Sequence, residues 1–98
     1  TQSRSSAASD VYKRQAQWLR SNPGRSVMLR GHTDRRGGIE YNLALGQKRA
    51  DAVRNSLQLL GVNPARVESV SYGKERLADE GTSEEAHQRN RRVEFDYR

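Results

Sequence analysis

The sequence predicts an α/β sandwich in which helices cover one small sheet. In residues Ser26 to His32, alternation puts Val27 and Leu29 on one side and Met28 and Arg30 on the other, as in a strand. Residues Tyr41 to Leu60 have the length and spacing of an amphipathic helix. Helical and strand patterns then alternate along the chain, which is typical of helices packed against a sheet. A length of 98 residues is the size of one ordinary domain.

The chain is predicted to begin with a leader and a short helix. Residues 1–9 are rich in Ser and Ala, so we expect a disordered leader before a domain spanning residues 10–98. Asp10 is a candidate N-cap for the helix, which should end at Asn22-Pro23-Gly24. Its apolar face is predicted from Val11, Gln15, Trp18 and Leu19.

The second half of the chain carries clear start and stop signals. Gly61 should end the long helix, and Asn63 with Pro64 is typical of a brief helical turn. The segment RVESVSYG is predicted to be a second strand. Thr82-Ser83-Glu84-Glu85 resembles a capping box for a helix to about Asn90, and RVEFDYR is predicted to be a third strand.

Composition narrows the possible functions. Eighteen basic against twelve acidic residues give a net charge of +6, which favours anionic partners, including nucleic acid, lipid headgroups and cell-wall polymers. The sequence has no Cys, so it offers no thiolate ligand or cysteine nucleophile. It contains no run of about 18 apolar residues, the minimum for a membrane-spanning helix. It also lacks the G-x-S-x-G pattern of a serine hydrolase, and we expect no catalysis.

One arginine is out of place on the long helix. A helical wheel puts Arg49, with Asn42 and Ser56, within the apolar arc. A guanidinium facing a core needs an anion, because an unpaired buried charge costs several kcal/mol. The nearest candidate is Asp34, just after the first strand. The predicted apolar face is made of Leu45, Ala52, Val53, Leu57, Leu59 and Leu60.

Asp34 and Arg49 allow two interpretations. They can pair with each other or with the neighbouring chain, as buried Asp and Arg side chains usually do. They can instead form the two ends of a clamp for a zwitterion, with Asp34 binding its ammonium and Arg49 its carboxylate in bidentate geometry.

Several separated motifs carry a specific resemblance. The segments GHTDRRGGIEYNLALGQKRADAV, GV, SYGKE and NRRVEF follow one another at spacings that resemble the OmpA-like peptidoglycan-binding domain family, over residues 16–97. Within the family they are most similar to the lipoproteins that associate with peptidoglycan. The resemblance implies binding of meso-diaminopimelate, an amino acid of the peptidoglycan stem peptide, without a cofactor or metal. By motif, the implied ligand-binding residues are Asp34, Arg49, Asn42, Thr33, Leu45 and Arg92.

The family also implies a fold and a cellular role. The implied fold is helices on a small mixed sheet, with the family's usual first strand missing and a sheet edge open, since residues 1–15 contain no aromatic-x-Phe-Asp pattern. Those residues resemble a translated adapter or assembly artefact. The implied role is a periplasmic module that tethers the outer membrane to the cell wall. An intact lipoprotein of this family would also contact the β-propeller protein of the Tol system.

Three alternatives remain open at this point. The domain can be the C-terminal part of an outer-membrane barrel or of a flagellar stator protein with the same ligand. It can be a basic nucleic-acid-binding domain, although its basic residues are dispersed among acidic ones. His32 and Asp34, with His87 as a third ligand, are a weak pattern for a metal site, and the resemblance favours a packing role for His32.

Overall fold

The computed structural model describes residues 11–98, so the predicted leader and the predicted N-cap at Asp10 lie outside the described residues. Helices and strands alternate along this part of the chain, as the sequence predicts. The elements are α1 (Lys13–Ser21), β1 (Val27–His32), α2 (Ile39–Leu59), a 3₁₀ turn (Pro64–Arg66), β2 (Val67–Gly73), α3 (Glu84–Asn90) and β3 (Val93–Tyr97).

The three strands form one mixed sheet in the order β2-β1-β3. β1 runs parallel to β2 and antiparallel to β3, and its Leu29 lies opposite Ser69 on one side and Phe95 on the other. Parallel neighbours need a long crossover connection, and α2 with the 3₁₀ turn provides it. This arrangement confirms the predicted class of helices packed on a small mixed sheet.

The outer edge of β3 presents regularly spaced backbone groups. Ser26 and Arg98 exchange both backbone hydrogen bonds, and His32 N–H donates to the Arg92 carbonyl at 2.8 Å. Because bonded and non-bonded pairs alternate in an antiparallel ladder, the N–H and C=O groups of the odd-numbered residues 93–97 point away from β1. Within residues 11–98, β3 pairs with β1 alone.

Small residues let α2 lie close against β1. A Cβ atom added at Gly31 would overlap the Gly46 carbonyl oxygen and lie 3.3 Å from the Ala50 Cβ. The predicted apolar face of α2 is therefore wrong in part: Val53 and Leu57 are buried, but Ala52 is exposed. Leu59 is also exposed, and Leu45 and Leu60 are half-buried. The buried stripe of α2 is Asn42, Gly46, Ala50, Val53 and Leu57.

The face that α1 buries also differs from the prediction. Ala16 and Leu19 are fully buried, whereas Val11 is 61% exposed and Trp18 is 37% exposed. Trp18 lies outside the core because it packs edge-on against Tyr97 at the end of β3, with ring centroids 5.0 Å apart. The nine-residue amphipathic helix α1 thus covers the sheet with Ala16 and Leu19, while the Trp18 indole lies at the edge of the sheet.

The predicted turn and helix ends of the second half are confirmed, but Ser83 caps α3 without the reciprocal Glu bond of a capping box, because Ala86 occupies the third helical position. Gly61 has a φ of +96°, a conformation that glycine adopts without strain at the end of a helix. Asn63 Oδ1 accepts a hydrogen bond from the Ala65 N–H at 2.9 Å, and Ser83 Oγ accepts one from the Ala86 N–H at 3.1 Å. In the part of the chain that the structure describes, no helix is both long and apolar enough to cross a membrane.

The close packing of α2 on β1 leads to the first prediction. Gly31→Ala should lower the free energy of unfolding by at least about 2 kcal/mol, because the new methyl group has no room between the two backbones. Urea denaturation at pH 7 measures the change. Gly24→Ala is the matched control, since no atom lies within 4 Å of the added Cβ, and it should change stability by less than about 0.5 kcal/mol. Equal effects of the two substitutions would contradict the packing described here.

Candidate functional site

Three elements bring polar side chains to one end of the sheet. β1 and β2 are parallel, so their carboxyl ends meet there, and the Thr33 N–H donates to the Gly73 carbonyl at 2.9 Å. β3 is antiparallel to β1, so it begins at this same end, directly after Arg91 and Arg92. Crevices at the carboxyl ends of strands are common ligand sites in open α/β sheets. Asp34, which follows β1, is the acidic side chain at this position.

The turn between β1 and α2 is held from both sides. Gly37 has a φ of +90°, which explains the need for glycine at this position. The Asn42 side-chain amide donates to the carbonyls of Arg36 at 2.8 Å and Gly38 at 2.9 Å. From the opposite side, Lys74 Nζ donates to the Gly37 carbonyl at 2.5 Å. Asn42 is 2% exposed, so the first turn of α2 fixes the shape of the loop from within.

Asp34 is a nearly buried carboxylate held by two arginines. Its Oδ1 accepts from the backbone N–H of Arg36 at 3.0 Å and from Arg36 Nε at 3.2 Å. Its Oδ2 accepts from Arg36 Nη2 at 2.8 Å and from Arg91 Nη1 at 3.0 Å. The hydrogen bonds from the Arg36 side chain lower the pKa of Asp34 well below its usual value, against the opposing effect of burial. Asp34 is therefore ionised at neutral pH.

Arg91 links Asp34 to the start of α3. While its Nη1 donates to Asp34, its Nη2 donates to Glu84 Oε2 at 2.6 Å. The Arg91 guanidinium in turn lowers the pKa of Glu84. The resulting row of Arg36, Asp34, Arg91 and Glu84 alternates in sign, so its charges compensate one another.

Arg49 is the cation that this network leaves uncompensated. Its Nη1 donates to the His32 carbonyl at 3.0 Å, and within residues 11–98 no carboxylate lies within salt-bridge distance of it. Arg92 is neutralised by Glu94, with Nη2 and Oε2 2.8 Å apart. Arg49 is thus a half-buried guanidinium that hydrogen-bonds to a carbonyl and, within residues 11–98, has no carboxylate partner.

A cleft of about 350 Å³ opens between α2 and the start of β3. Its walls combine three cationic side chains with apolar side chains and the two hydroxyl-bearing side chains of Tyr12 and Ser56. Asp34 does not line this cleft, but it hydrogen-bonds to Arg91, which does. The lining residues are Tyr12, Arg49, Ala52, Val53, Ser56, Arg91, Arg92 and Val93.

The structure brings only some of the predicted site residues to this cleft. Arg49 and Arg92 line the cleft. Asp34 does not, but it hydrogen-bonds to Arg91, which lines the cleft. No hydrogen bond or ion pair joins Asp34 to Arg49 in the part of the chain described, so the interpretation in which they pair with each other does not apply. Asp34 instead pairs with other residues near it in the fold. The first of the two interpretations also included this possibility.

The other predicted residues support the loop. Thr33 is 1% exposed, and its Oγ1 donates to the Asp34 carbonyl at 3.1 Å. Asn42 is occupied by the turn, and Leu45 is half-buried on α2 without lining the cleft. Arg92 reaches the cleft while donating to the Arg76 carbonyl at 3.1 Å.

Sequence reasoning missed Arg36 and Arg91. Arg36 is two residues from Asp34, a spacing at which a side chain can fold back on a turn carboxylate. Arg91 is 57 residues from Asp34, and only the antiparallel pairing of β3 with β1 brings them together. Of the two adjacent arginines in NRR, the sequence identified Arg92 and not the one that contacts Asp34.

His32 has the environment of a packing residue. It is 1% exposed and packs edge-on against Tyr72, with ring centroids 5.5 Å apart. Its Nε2 lies 3.4 Å from Glu94 Oε1, but burial and the nearby Arg92 lower its pKa and favour the neutral ring. Among residues 11–98, no three His, Asp or Glu side chains are arranged to hold a metal ion.

The environment of Asp34 predicts a specific pH dependence of stability. Its pKa is lower in the folded than in the unfolded chain, so it stabilises the fold above the unfolded pKa of about 3.9, and this stabilisation is lost as pH falls. The difference in free energy of unfolding between wild type and Asp34→Asn should be constant above about pH 5. Below about pH 4 it should shrink by up to about 1.4 kcal/mol per pH unit.

Urea denaturation from pH 7 to pH 2.5 tests this. Glu40→Gln, which removes an exposed carboxylate on the first turn of α2, is the matched control and should show no comparable loss. A difference between wild type and Asp34→Asn that stays constant down to pH 2.5 would contradict the pairing of Asp34 with Arg36 and Arg91.

Comparison with known proteins yields consistent relatives. The peptidoglycan-associated lipoprotein of Legionella pneumophila is 53% identical over 83 residues, which cover 85% of this chain and 47% of that protein. The peptidoglycan-associated lipoprotein of Pseudomonas aeruginosa is 56% identical over 72 residues, covering 74% of this chain and 43% of that protein. The chain thus spans about half the length of the curated relatives it matches.

Solved structures share the fold. The crystal structure of the peptidoglycan-associated lipoprotein from Burkholderia pseudomallei superposes with a TM-score of 0.88 at 48% identity, covering 92% of this chain and 76% of that one. The C-terminal domain of Helicobacter pylori MotB superposes with a TM-score of 0.83 at 26% identity, covering 92% and 70% of the two chains. The sequence profile of the OmpA family matches residues 4–91. With its fold, its motifs and these relatives in agreement, the chain belongs to the OmpA family.

Proposed function

We propose that this domain binds peptidoglycan non-covalently through the zwitterionic end of meso-diaminopimelate in the stem peptide. The observation that carries the proposal is the uncompensated guanidinium of Arg49, which lines a cleft beside an ionised carboxylate. The lipoproteins that this chain resembles are named for their association with peptidoglycan. The free end of meso-diaminopimelate carries an ammonium and a carboxylate on one carbon, the charge pair that such a site complements.

Arg49 is suited to the carboxylate end of this ligand. The hydrogen bond from Arg49 Nη1 to the His32 carbonyl holds one side of the guanidinium. The other N–H groups remain available to a ligand in the cleft. A guanidinium can bind a carboxylate through two parallel hydrogen bonds, a geometry that an ammonium cannot reproduce. Partial removal of the pair from water in the cleft would strengthen the attraction relative to that in bulk water.

Asp34 is suited to the ammonium end. It stays ionised over the whole neutral range, because its arginine partners lower its pKa. Of those partners, Arg36 has a side chain that is 57% exposed, so it can move aside without opening the core. Asn42 and Thr33, both buried, then act as positioning residues for the loop that presents Asp34. Leu45 and Arg92 border the site in this proposal.

At the level of the cell envelope, the proposed role is a periplasmic tether. The domain would link an outer-membrane lipoprotein to the cell wall without making or breaking a covalent bond, and the intact protein would also meet the Tol β-propeller protein. Curated relatives at 44–56% identity are peptidoglycan-associated lipoproteins, whereas the MotB domain shares 26% identity. This difference favours the lipoprotein role over that of a flagellar stator component.

Binding to purified sacculi tests the proposed site. Arg49→Ala should weaken retention at least tenfold, because the ligand carboxylate loses its charged bidentate partner. Asp34→Ala should weaken it to a similar extent through the ammonium. Arg49→Lys should recover only part of the loss, since it restores the charge but not the two-point geometry. Co-sedimentation over a range of protein concentrations gives the apparent Kd.

Two neighbouring residues provide matched controls. Lys48→Ala removes the same charge as Arg49→Ala from an exposed position on the same helix, and Glu40→Ala removes an exposed carboxylate. Both should bind like wild type. Equal retention of all variants would reject the clamp and leave only nonspecific charge attraction. Tight binding to duplex DNA that falls steeply with salt, without sacculus binding, would establish the nucleic-acid alternative instead.

A further inference from the structure

The ammonium position of the proposed site is already occupied by a side chain of the protein. Arg36 donates to Asp34 three times, from its backbone N–H, its Nε and its Nη2, at 3.0, 3.2 and 2.8 Å. Two of these donors belong to a guanidinium that faces both carboxylate oxygens. A ligand ammonium and the Arg36 guanidinium therefore compete for the same carboxylate.

We propose that Arg36 is a specificity-determining residue, which the ligand displaces and then uses. In this exchange the zwitterion inserts between Asp34 and Arg36: its ammonium binds Asp34, and its carboxylate binds the released guanidinium as well as Arg49. The ion pair between Asp34 and Arg36 is thereby replaced by three: ammonium with Asp34, and carboxylate with Arg36 and with Arg49. This inference rests on the proposed function and adds to it the reason for choosing a zwitterion over a simple cation.

A ligand that carries only an ammonium gains little in this exchange. It must break the bidentate contact of Arg36 with Asp34 and replaces it with a single-point contact. The released guanidinium returns to water without a new partner. Because charge-assisted bidentate pairs are the stronger ones, the protein's own arginine should exclude lone amines from Asp34. A zwitterion avoids this loss, because its own carboxylate becomes a new partner for the released Arg36 guanidinium.

The structure allows the Arg36 side chain to move while the loop stays in place. Its side chain is 57% exposed, whereas its carbonyl is held by the Asn42 amide at 2.8 Å. Its own backbone N–H keeps Asp34 oriented after the guanidinium has left. Arg91 cannot exchange in the same way, because it is only 27% exposed and bonds two carboxylates at once, those of Asp34 and Glu84. Arg36 is thus the mobile partner of Asp34, and Arg91 is the fixed one.

Two synthetic stem tripeptides test the inference, one ending in meso-diaminopimelate and one ending in lysine. They share the chain but differ at the side-chain end, which is a zwitterion in the first and an ammonium alone in the second. Wild type should prefer the diaminopimelate peptide at least tenfold in isothermal titration or NMR titration. In Arg36→Gln, the affinity for the lysine peptide should rise roughly threefold to tenfold, and that for the diaminopimelate peptide should stay constant or fall. The preference should shrink at least threefold.

Arg35→Gln is the matched control. Arg35 is the adjacent exposed arginine, and its Nη1 donates to the Glu80 carbonyl at 2.9 Å instead of to Asp34. The change in net charge is the same, and the preference should remain that of wild type. Thermal melting checks that each variant is folded. If Arg36→Gln does not fold, Arg36→Lys should reduce the preference in the same direction by a smaller factor, because lysine makes one-point contacts.

The possible failures are distinguishable. If wild type binds neither tripeptide, the proposed function itself is wrong. If wild type binds the diaminopimelate peptide and Arg36→Gln or Arg36→Lys leaves the preference unchanged, the site stands and the role of Arg36 is overturned. Equal binding of both tripeptides by wild type also overturns it. The same shift in preference in Arg35→Gln would attribute the effect to net charge alone.

Discussion

The contact between the backbones of β1 and α2 is the constraint on which the rest of the structure depends. Gly31 and Gly46 allow the helix to lie directly on the central strand, where no other residue type fits. From Gly46, one helical turn leads back to Asn42 and one leads forward to Arg49. The same contact therefore places an amide under the loop after β1 and a guanidinium over the His32 carbonyl. Packing in the core sets the geometry of the site.

Electrostatics then decides what the site can accept. Removing charges from water is costly, so Asp34 at 8% exposure is held by donors from Arg36 and Arg91. Glu84 and Glu94 compensate further guanidinium groups, and Arg49 remains with carbonyl hydrogen bonding alone. Because Arg49 lines the cleft, the proposed function assigns an anionic group of the ligand as its partner.

The order of the elements was predictable from the sequence because their ends carry local signals. Gly61, Asn63 and Ser83 act within a few residues of their own position, so short-range rules suffice. The buried face of α2 was predicted wrongly in part because hydrophobicity does not report a close approach of backbones, which buries Gly46 and leaves Leu59 86% exposed. The same holds for the site. The sequence singled out Asp34 and Arg49, but one partner of Asp34, Arg91, depends on the pairing of β3 with β1, which the local sequence does not encode.

The charged groups of the site have a common property that bears on the pH dependence of binding. Hydrogen bonding lowers the pKa of Asp34, and pairing with carboxylates raises those of Arg36 and Arg91, so none of these charges changes near neutral pH. His32, at the end of β1, is buried against Tyr72, and burial lowers its pKa. Under the proposed exchange of ion pairs, ligand binding would therefore depend little on mild acidification. It would depend instead on whether a ligand carries both an ammonium and a carboxylate.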